Sequence, residues 1–208
     1  MKSSTDITKF DLPLIETSRF LLRMFEDRDL DSMFQLFNDE EVQKYLAPEN
    51  RRTRRQLETT LQNLARHWKE RGFGLWCVSE KSGGQMFGYC GFQHFDKTSD
   101  VEILFGFLKD FWGNGFATEA ANACLKFGFE ELRFKKVYAA THPENTASSC
   151  VLEKVGMVFE KRTTHYGLET ITYSISRSSF EPFEDFYKLK YKSPKLAATC
   201  SNEELSAR

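Results

Sequence analysis

The chain has 208 residues, 40% of them hydrophobic and 28% charged, the balance of one ordinary soluble domain with room for a tail. Its 29 basic and 30 acidic side chains nearly cancel, to −1, so no overall field draws it to nucleic acid or a membrane surface, and neither is expected as a partner. No run approaches the ~18 apolar residues of a membrane span, and the opening Met1-Lys2-Ser3-Ser4 lacks an apolar leader stretch, so a cytoplasmic location is expected.

Residues 1–13 are polar and unpatterned around Pro13 and read as a loose lead-in to a domain over 14–177. Phe20-Leu21-Leu22-Arg23-Met24-Phe25 predicts a first strand. Asp27 can cap a helix whose apolar face is Leu30, Met33, Phe34 and Phe37. Thr53 and Gln56 form a capping box before Leu57, Leu61, Leu64 and Trp68, and Gly72 stops that second helix. Arg51, Arg52, Arg54 and Arg55 crowd its start. They read as a solvated face, with an anion-binding patch as the alternative.

Leu75–Val78 and Met86–Phe95 flank the turn Lys81-Ser82-Gly83-Gly84 as a hairpin. Val101–Leu108 is a strand apolar on both faces except at Glu102, and is expected to be central. A turn, Trp112-Gly113-Asn114-Gly115, then opens a helix to about Glu130 with a small face of Ala117, Ala120, Ala121 and Cys124. Val137–His142 predicts a strand, Ala147–Val155 a helix ended by Gly156, and Met157–Tyr166 with Leu168–Ser176 a closing hairpin about Gly167. In the tail, 178–208, Phe183, Phe186 and Tyr187 stand at helical spacing. They predict a short aromatic helix that docks on its own fold or on a second subunit; beyond Leu196 disorder is expected. The order gives an α+β domain, a mixed and mostly antiparallel sheet of about seven strands with four helices.

Cys77, Cys90, Cys124, Cys150 and Cys200 make an odd count, with no Cys-x-x-Cys and no ligand spacing to the four His. Reduced thiols and no metal are expected.

The informative segment runs from Phe105 to Ala120, a strand entering a Gly-x-Gly turn from which a helix starts at once. The first amides of a helix have no internal partner and carry partial positive charge, and glycines let a phosphate approach the backbone. A P-loop would need Gly-Lys-Ser/Thr where Gly115-Phe116-Ala117 stands, and a dinucleotide turn would need a third glycine near Thr118.

The turn is similar to Gln/Arg-x-x-Gly-x-Gly/Ala, the coenzyme A pyrophosphate motif of the GNAT superfamily of N-acetyltransferases, with Trp112 at its first position. Three further segments resemble the branch that acetylates ribosomal-protein N-termini, the RimJ/RimL type. They are Ile15 to Arg23, Glu102-Ile103-x-Phe105-Gly106-Phe107, and Asn145-x-x-Ser148-x-x-Val151-Leu152-Glu153-Lys154-x-Gly156-Met157. Together the segments cover about residues 14 to 177.

The resemblance implies a GNAT fold and acetyl transfer from acetyl-CoA to an amine, foremost a protein N-terminal amine; the tail leaves a monomer or a homodimer open. Polyamines, amino acids and antibiotics are the alternative acceptors, and a non-catalytic coenzyme A-binding module is the alternative class. The amine needs a base, since near neutral pH it is largely protonated. Glu102, the one carboxylate of its strand, is the first candidate, with a structural ion pair as the plain alternative. His94, closing the neighbouring strand, can share that role or be structural. The family tyrosine seven residues after the motif asparagine is Leu152 here; the resembled branch can use the serine three residues after that asparagine as the acid, which is Ser148, with a local bond to its own backbone as the equal alternative. Gly113, Asn114, Gly115, Phe116, Ala117 and Thr118 are expected to hold the pyrophosphate beside Trp112. Asn145 and the backbone at Phe105 and Phe107 are expected to hold the pantetheine. Tyr45 and Trp76 are candidates for the acceptor groove, against a default place in the core. His142 is read as structural.

Overall fold

The computed structural model describes residues 12–45, 51–82, 84–183 and 187–192. In chain order these form β1 (Leu12–Thr17), β2 (Phe20–Arg23), α1 (Leu30–Asn38), α2 (Glu40–Gln43), α3 (Arg54–Arg71), β3 (Leu75–Glu80), β4 (Met86–His94), β5 (Val101–Phe107), α4 (Phe116–Glu130), β6 (Lys136–Thr141), α5 (Thr146–Lys154), β7 (Val158–His165), β8 (Leu168–Ser176) and β9 (Tyr187–Lys192). The strands make one sheet in the order β7-β8-β6-β5-β4-β3-β2-β1-β9. Every pairing is antiparallel except that of β5 with β6, which are parallel and meet at Glu102↔Tyr138.

The mixed α+β architecture is the expected one, enlarged among the described residues from seven strands and four helices to nine and five. Three elements account for the difference. The end of the lead-in is a strand, because Leu12, Leu14 and Glu16 alternate with the more deeply buried Pro13, Ile15 and Thr17. The short α2 is capped by Asp39, whose carboxylate accepts from the amides of Glu41 and Val42. The tail segment from Tyr187 is a strand and not a helix, paired with β1 from Leu12↔Lys192 to Thr17↔Tyr187. Its alternation of Tyr187, Leu189 and Tyr191 with lysines is a period of two, and the cross-strand ladder outweighs the weaker helical spacing. Phe186 and the segment after Lys192 lie outside the described residues.

The first helix starts later than expected. Asp27–Asp29 form a 3-10 turn with Glu26, not Asp27, at its N-cap, and α1 begins at Leu30. Asp29 is 2% exposed and makes a bidentate pair with Arg23, at 2.7 and 2.8 Å. In α3 the Thr53–Gln56 box and the left-handed cap at Gly72 stand as read, and Leu57, Leu61 and Trp68 are buried.

The helix α4 approaches β4 closely because Ala120, Ala121 and Cys124 carry little bulk and are fully buried. Aromatic residues fill the rest of the core. Trp76 stacks edge-on against Trp68 at 4.6 Å and Phe127 at 5.2 Å, and its indole nitrogen donates to the carbonyl of Pro13.

Candidate active site

The β5–β6 contact opens a gap in the sheet. Past Glu102↔Tyr138, Leu104 and Phe105 of β5 and Ala139, Ala140 and Thr141 of β6 line one cavity of about 420 Å³. A second cavity of about 370 Å³ runs beside Phe107, Trp112 and α4. The two share Tyr45, Tyr89, Phe105, Asn145 and Ser148 as walls. The two cavities thus adjoin at these five residues, with Glu102 lining one and the glycine turn the other.

At the glycine end, Gly113 and Gly115 hold φ of +74° and +73°, a conformation that costs glycine nothing and other residues about 1 kcal/mol or more. No side chain caps α4, whereas Thr53 caps α3 and Asn145 caps α5. The first amides of α4, at Phe116, Ala117 and Thr118, are thus left for an acceptor from outside the chain. A methyl at Gly113 would meet nothing within 4 Å, so the cradle is open. Gly113, Gly115, Phe116, Ala117 and Thr118 line the second cavity. Asn114 does not: its carbonyl accepts from Arg19 at 2.7 Å, and its side chain donates to the carbonyl of Trp112. Trp112 is held in turn by its indole N–H on the carbonyl of Phe107, at 2.7 Å. That bond occupies one of the backbone groups expected to face pantetheine.

Sequence reading missed what fixes this turn. Arg19, between β1 and β2, donates from Nε to Glu119 in the first turn of α4 at 2.5 Å, and its guanidinium lies 4.2 Å from the Phe116 ring centroid. Ser18 bonds the same carboxylate at 3.0 Å. The signal was present in the segment ending at Arg23, but its partner stands 100 residues away.

At the other end Glu102 is fully buried. Its Oε1 accepts from Gln93 Nε2 at 2.7 Å and from the hydroxyl of Tyr166, while Oε2 has no partner among the described residues. Burial pushes the carboxyl up to about 7, against the hydrogen bonds from Tyr166 and Gln93, which pull it down. The ion pair with Arg or Lys that would make this carboxylate structural is absent among the described residues; its neighbours are neutral donors.

In the sequence Tyr166 only ends one arm of the closing hairpin. It occupies the β7–β8 turn with φ +54°, followed by Gly167 at +76°. Its hydroxyl accepts from the amide of Asp96 at 2.8 Å while it donates to Glu102. His165 beside it meets Asp96 at 3.1 Å.

Two expected site residues stand elsewhere. Cross-strand pairs put Gln93 with Glu102 and His94 with Val101, so His94 belongs to the opposite face of the sheet from Glu102. There it lies edge-on to Phe73 at 5.4 Å, its Nδ1 buried and without a partner among the described residues, and it borders neither cavity. Trp76 is fully buried in the core and cannot touch an acceptor. Tyr45 does border both cavities. Asn145 accepts from the amide of Ser148 at 3.0 Å, so it caps α5 and lines the junction at once. His142 accepts from the amide of Glu144, a structural contact in the cavity wall. Among the arginines at the start of α3, Arg54 pairs with Asp31 and lies over Phe34.

Among the described residues no group of three or more His, Cys, Asp and Glu is placed to hold a metal ion. No helix of them is long and apolar enough to cross a membrane.

The comparisons agree with this arrangement. Residues 19–158 match the family model described as an acetyltransferase (GNAT) domain. The chain is 40% identical over 152 residues to YkkB, an uncharacterized protein of Bacillus subtilis (strain 168), covering 70% of this chain and 85% of that one. It is 26% identical over 144 residues to spermidine N(1)-acetyltransferase of Escherichia coli (strain K12), covering 69% and 75%. The crystal structure of a GNAT-family acetyltransferase from Bacillus anthracis superposes with a TM-score of 0.67 at 28% identity, covering 79% of this chain and 99% of that one. An uncapped helix behind a glycine turn, a parted pair of parallel strands and the family model converge: the chain belongs to the GNAT family of acetyltransferases.

Proposed function

We propose that the chain transfers the acetyl group of acetyl-CoA to a primary amine, with Glu102 as the general base. One observation carries this. A fully buried carboxylate, its Oε2 without a partner among the described residues, lines a cavity that shares Tyr45, Tyr89, Phe105, Asn145 and Ser148 with a second cavity ending on the uncapped α4. Acetyl-CoA, the co-substrate, supplies the activated acyl group. The turn at Gly113–Gly115 and the amides of Phe116, Ala117 and Thr118 receive its pyrophosphate. Asn145, Phe105 and Ser148 line both cavities, where the pantetheine would pass. Glu102 takes the proton that the amine must lose to attack.

The charge of the acceptor cavity narrows the amine. Glu102 and Glu169 line it, and no Lys or Arg does among the described residues. An acceptor with a carboxylate beside its amine, such as a free amino acid, finds no counter-charge there. The base at about 7 lies about one unit below an α-amine (~7.7–8.0) and over three below an alkyl amine (~10.4), so proton transfer is far less uphill from an α-amine. That match supports a protein N-terminal amine, the acceptor of the RimJ/RimL type. A small polyamine is the second reading, favoured by the likeness to a spermidine acetyltransferase and by the two carboxylates.

Isotope-labelled acetyl-CoA is incubated with the chain and three acceptor sets, and products are read by mass spectrometry. The sets are peptides with a free α-amine, the same peptides blocked there but bearing lysine, and linear polyamines. Label on the free α-amine supports the first reading, and label on polyamines replaces it with the second. Acetyl-CoA bound without label on any acceptor makes the chain a coenzyme A-binding module.

A further inference from the structure

A thioester that gives up its acyl group releases a thiolate, which needs a hydrogen-bond donor as its charge grows. The helix position where the resembled family carries a tyrosine holds Leu152, 1% exposed and without a donor. Tyr45, Tyr89 and Ser148 are the hydroxyl-bearing residues that line both cavities. Tyr45 follows the short α2 on a turn, and Ser148 is a short side chain in the first turn of α5.

Tyr89 is held differently. It stands on β4, inside the sheet, opposite Gly106 of β5. Its ring stacks on Phe37, centroids 5.8 Å apart and planes 13° from parallel. A Cβ on Gly106 would sit 2.6 Å from Cε1 and 2.9 Å from the hydroxyl oxygen of Tyr89. The glycine in Phe105-Gly106-Phe107 therefore makes room for a phenol lying over β5, one residue past Phe105. That hydroxyl makes no hydrogen bond to the described residues, and it is not sealed in protein as the hydroxyl of Tyr187 is. The phenols of Tyr166 and Tyr173 are both engaged, on Glu102 and Glu153. A rigidly placed donor at the cavity junction is thus left without an internal acceptor.

We infer that Tyr89 is a catalytic residue whose phenol O–H donates to the thioester sulfur of acetyl-CoA and holds the departing thiolate. This rests on the acetyl-transfer reading above. The amine nitrogen forms the new C–N bond as the C–S bond breaks, and the sulfur leaves with the electron pair. The ammonium gives one proton to Glu102 before it attacks, and the new amide nitrogen gives up a second after the C–N bond forms, each passing on to water. A thiol (~8.5) is more acidic than a phenol (~10), so Tyr89 shares its proton and the sulfur takes its own from solvent. Burial pushes Tyr89 up to about 12, which keeps the O–H intact at neutral pH.

The first measurement needs no turnover. Coenzyme A is bound to the full chain, and the ultraviolet absorbance of its thiolate is titrated for wild type, Tyr89→Phe and Ser148→Ala. The thiol is expected to titrate about one unit lower in wild type than in Tyr89→Phe, with Ser148→Ala close to wild type. Single-turnover acetyl transfer by Tyr89→Phe is expected to fall about 10- to 100-fold while the Kd for coenzyme A stays within about threefold. Identical titrations in wild type and Tyr89→Phe, or a shift produced by Ser148→Ala instead, overturn the inference. A wild type that binds coenzyme A but acetylates no amine overturns the acetyl-transfer reading, and the thiol titration then judges Tyr89 by itself.

Discussion

The hydroxyl of Tyr166, on the turn between β7 and β8, donates to the Oε1 atom of Glu102 on β5, 64 residues earlier in the chain. The donor on the last hairpin thus touches the buried carboxylate of the parted strands. Because a hydrogen bond to the ionised form lowers a carboxyl's pKa, Tyr166 restrains the upward push of burial on Glu102. Tyr166→Phe is therefore expected to move the acid limb of the kcat–pH profile to higher pH, with the plateau above it less affected. A profile measured from pH 5 to 9 checks this, and an unmoved limb separates Tyr166 from the base.

The same carboxylate makes stability depend on pH. Glu102 is raised from 4.5 to about 7 in the fold, so the folded chain holds a proton that the unfolded chain has lost between those values. Its stabilising share is complete below about 4.5 and is lost as pH rises through about 7. Glu102→Gln keeps the neutral form at all pH, so above pH 8 it is expected to be more stable than wild type, by at most about 3 kcal/mol. Near pH 4 the two should melt within about 1 kcal/mol of each other. Urea melts at both pH values read the difference.

The glycine turn should respond in binding more than in folding. Gly115→Ala forces a side chain into φ +73° with only Arg19 within 4 Å, at 3.6 Å, a strain of about 1 kcal/mol. Its methyl also stands at the entry of α4, where the amides are free. The expected outcome is a coenzyme A affinity at least about tenfold weaker by calorimetry. Arg19→Ala, which frees the turn from its bond to the Asn114 carbonyl, should weaken affinity less.

How much of this was legible in the sequence follows from the range of each interaction. The glycine turn and the cap of α3 were legible because positive φ and end-capping are decided within four residues. Glu102 stood out as the one charge on an apolar strand, and the fold keeps it buried. Tyr166 and Arg19 were not legible as site residues, since each is defined by a partner 64 or 100 residues distant. His94 and Trp76 were misplaced for a smaller reason. Their strands were recognised but not their register, and a step of one residue exchanges the cavity face for the other. In β9, the period of two in Tyr187, Leu189 and Tyr191 was overshadowed by Phe183 at helical spacing, and only its pairing with β1 settles it.

The buried Arg23–Asp29 pair makes a stability prediction away from the site. Side chains 6% and 2% exposed leave the partner of a truncated charge uncompensated. Asp29→Ala should cost about 3–5 kcal/mol, and the double replacement by apolar residues of similar size considerably less. A double-mutant cycle in urea measures both.

Among the described residues the last element, β9, covers β1, whose Ile15 is fully buried. Removing everything after Arg177 strips β9 from that edge and takes Phe180 and Phe183 from the core. The shortened chain is expected to melt earlier and to associate through its bared edge, in light scattering at rising concentration.

The role of Glu102 is tested most directly by measuring single-turnover acetyl transfer and coenzyme A affinity together for Glu102→Gln. Transfer should fall at least about 100-fold at pH 7.5 while affinity stays within about twofold of wild type. Transfer at the wild-type rate, or a loss of affinity that accounts for the whole loss of rate, would contradict the assignment of this carboxylate as the base.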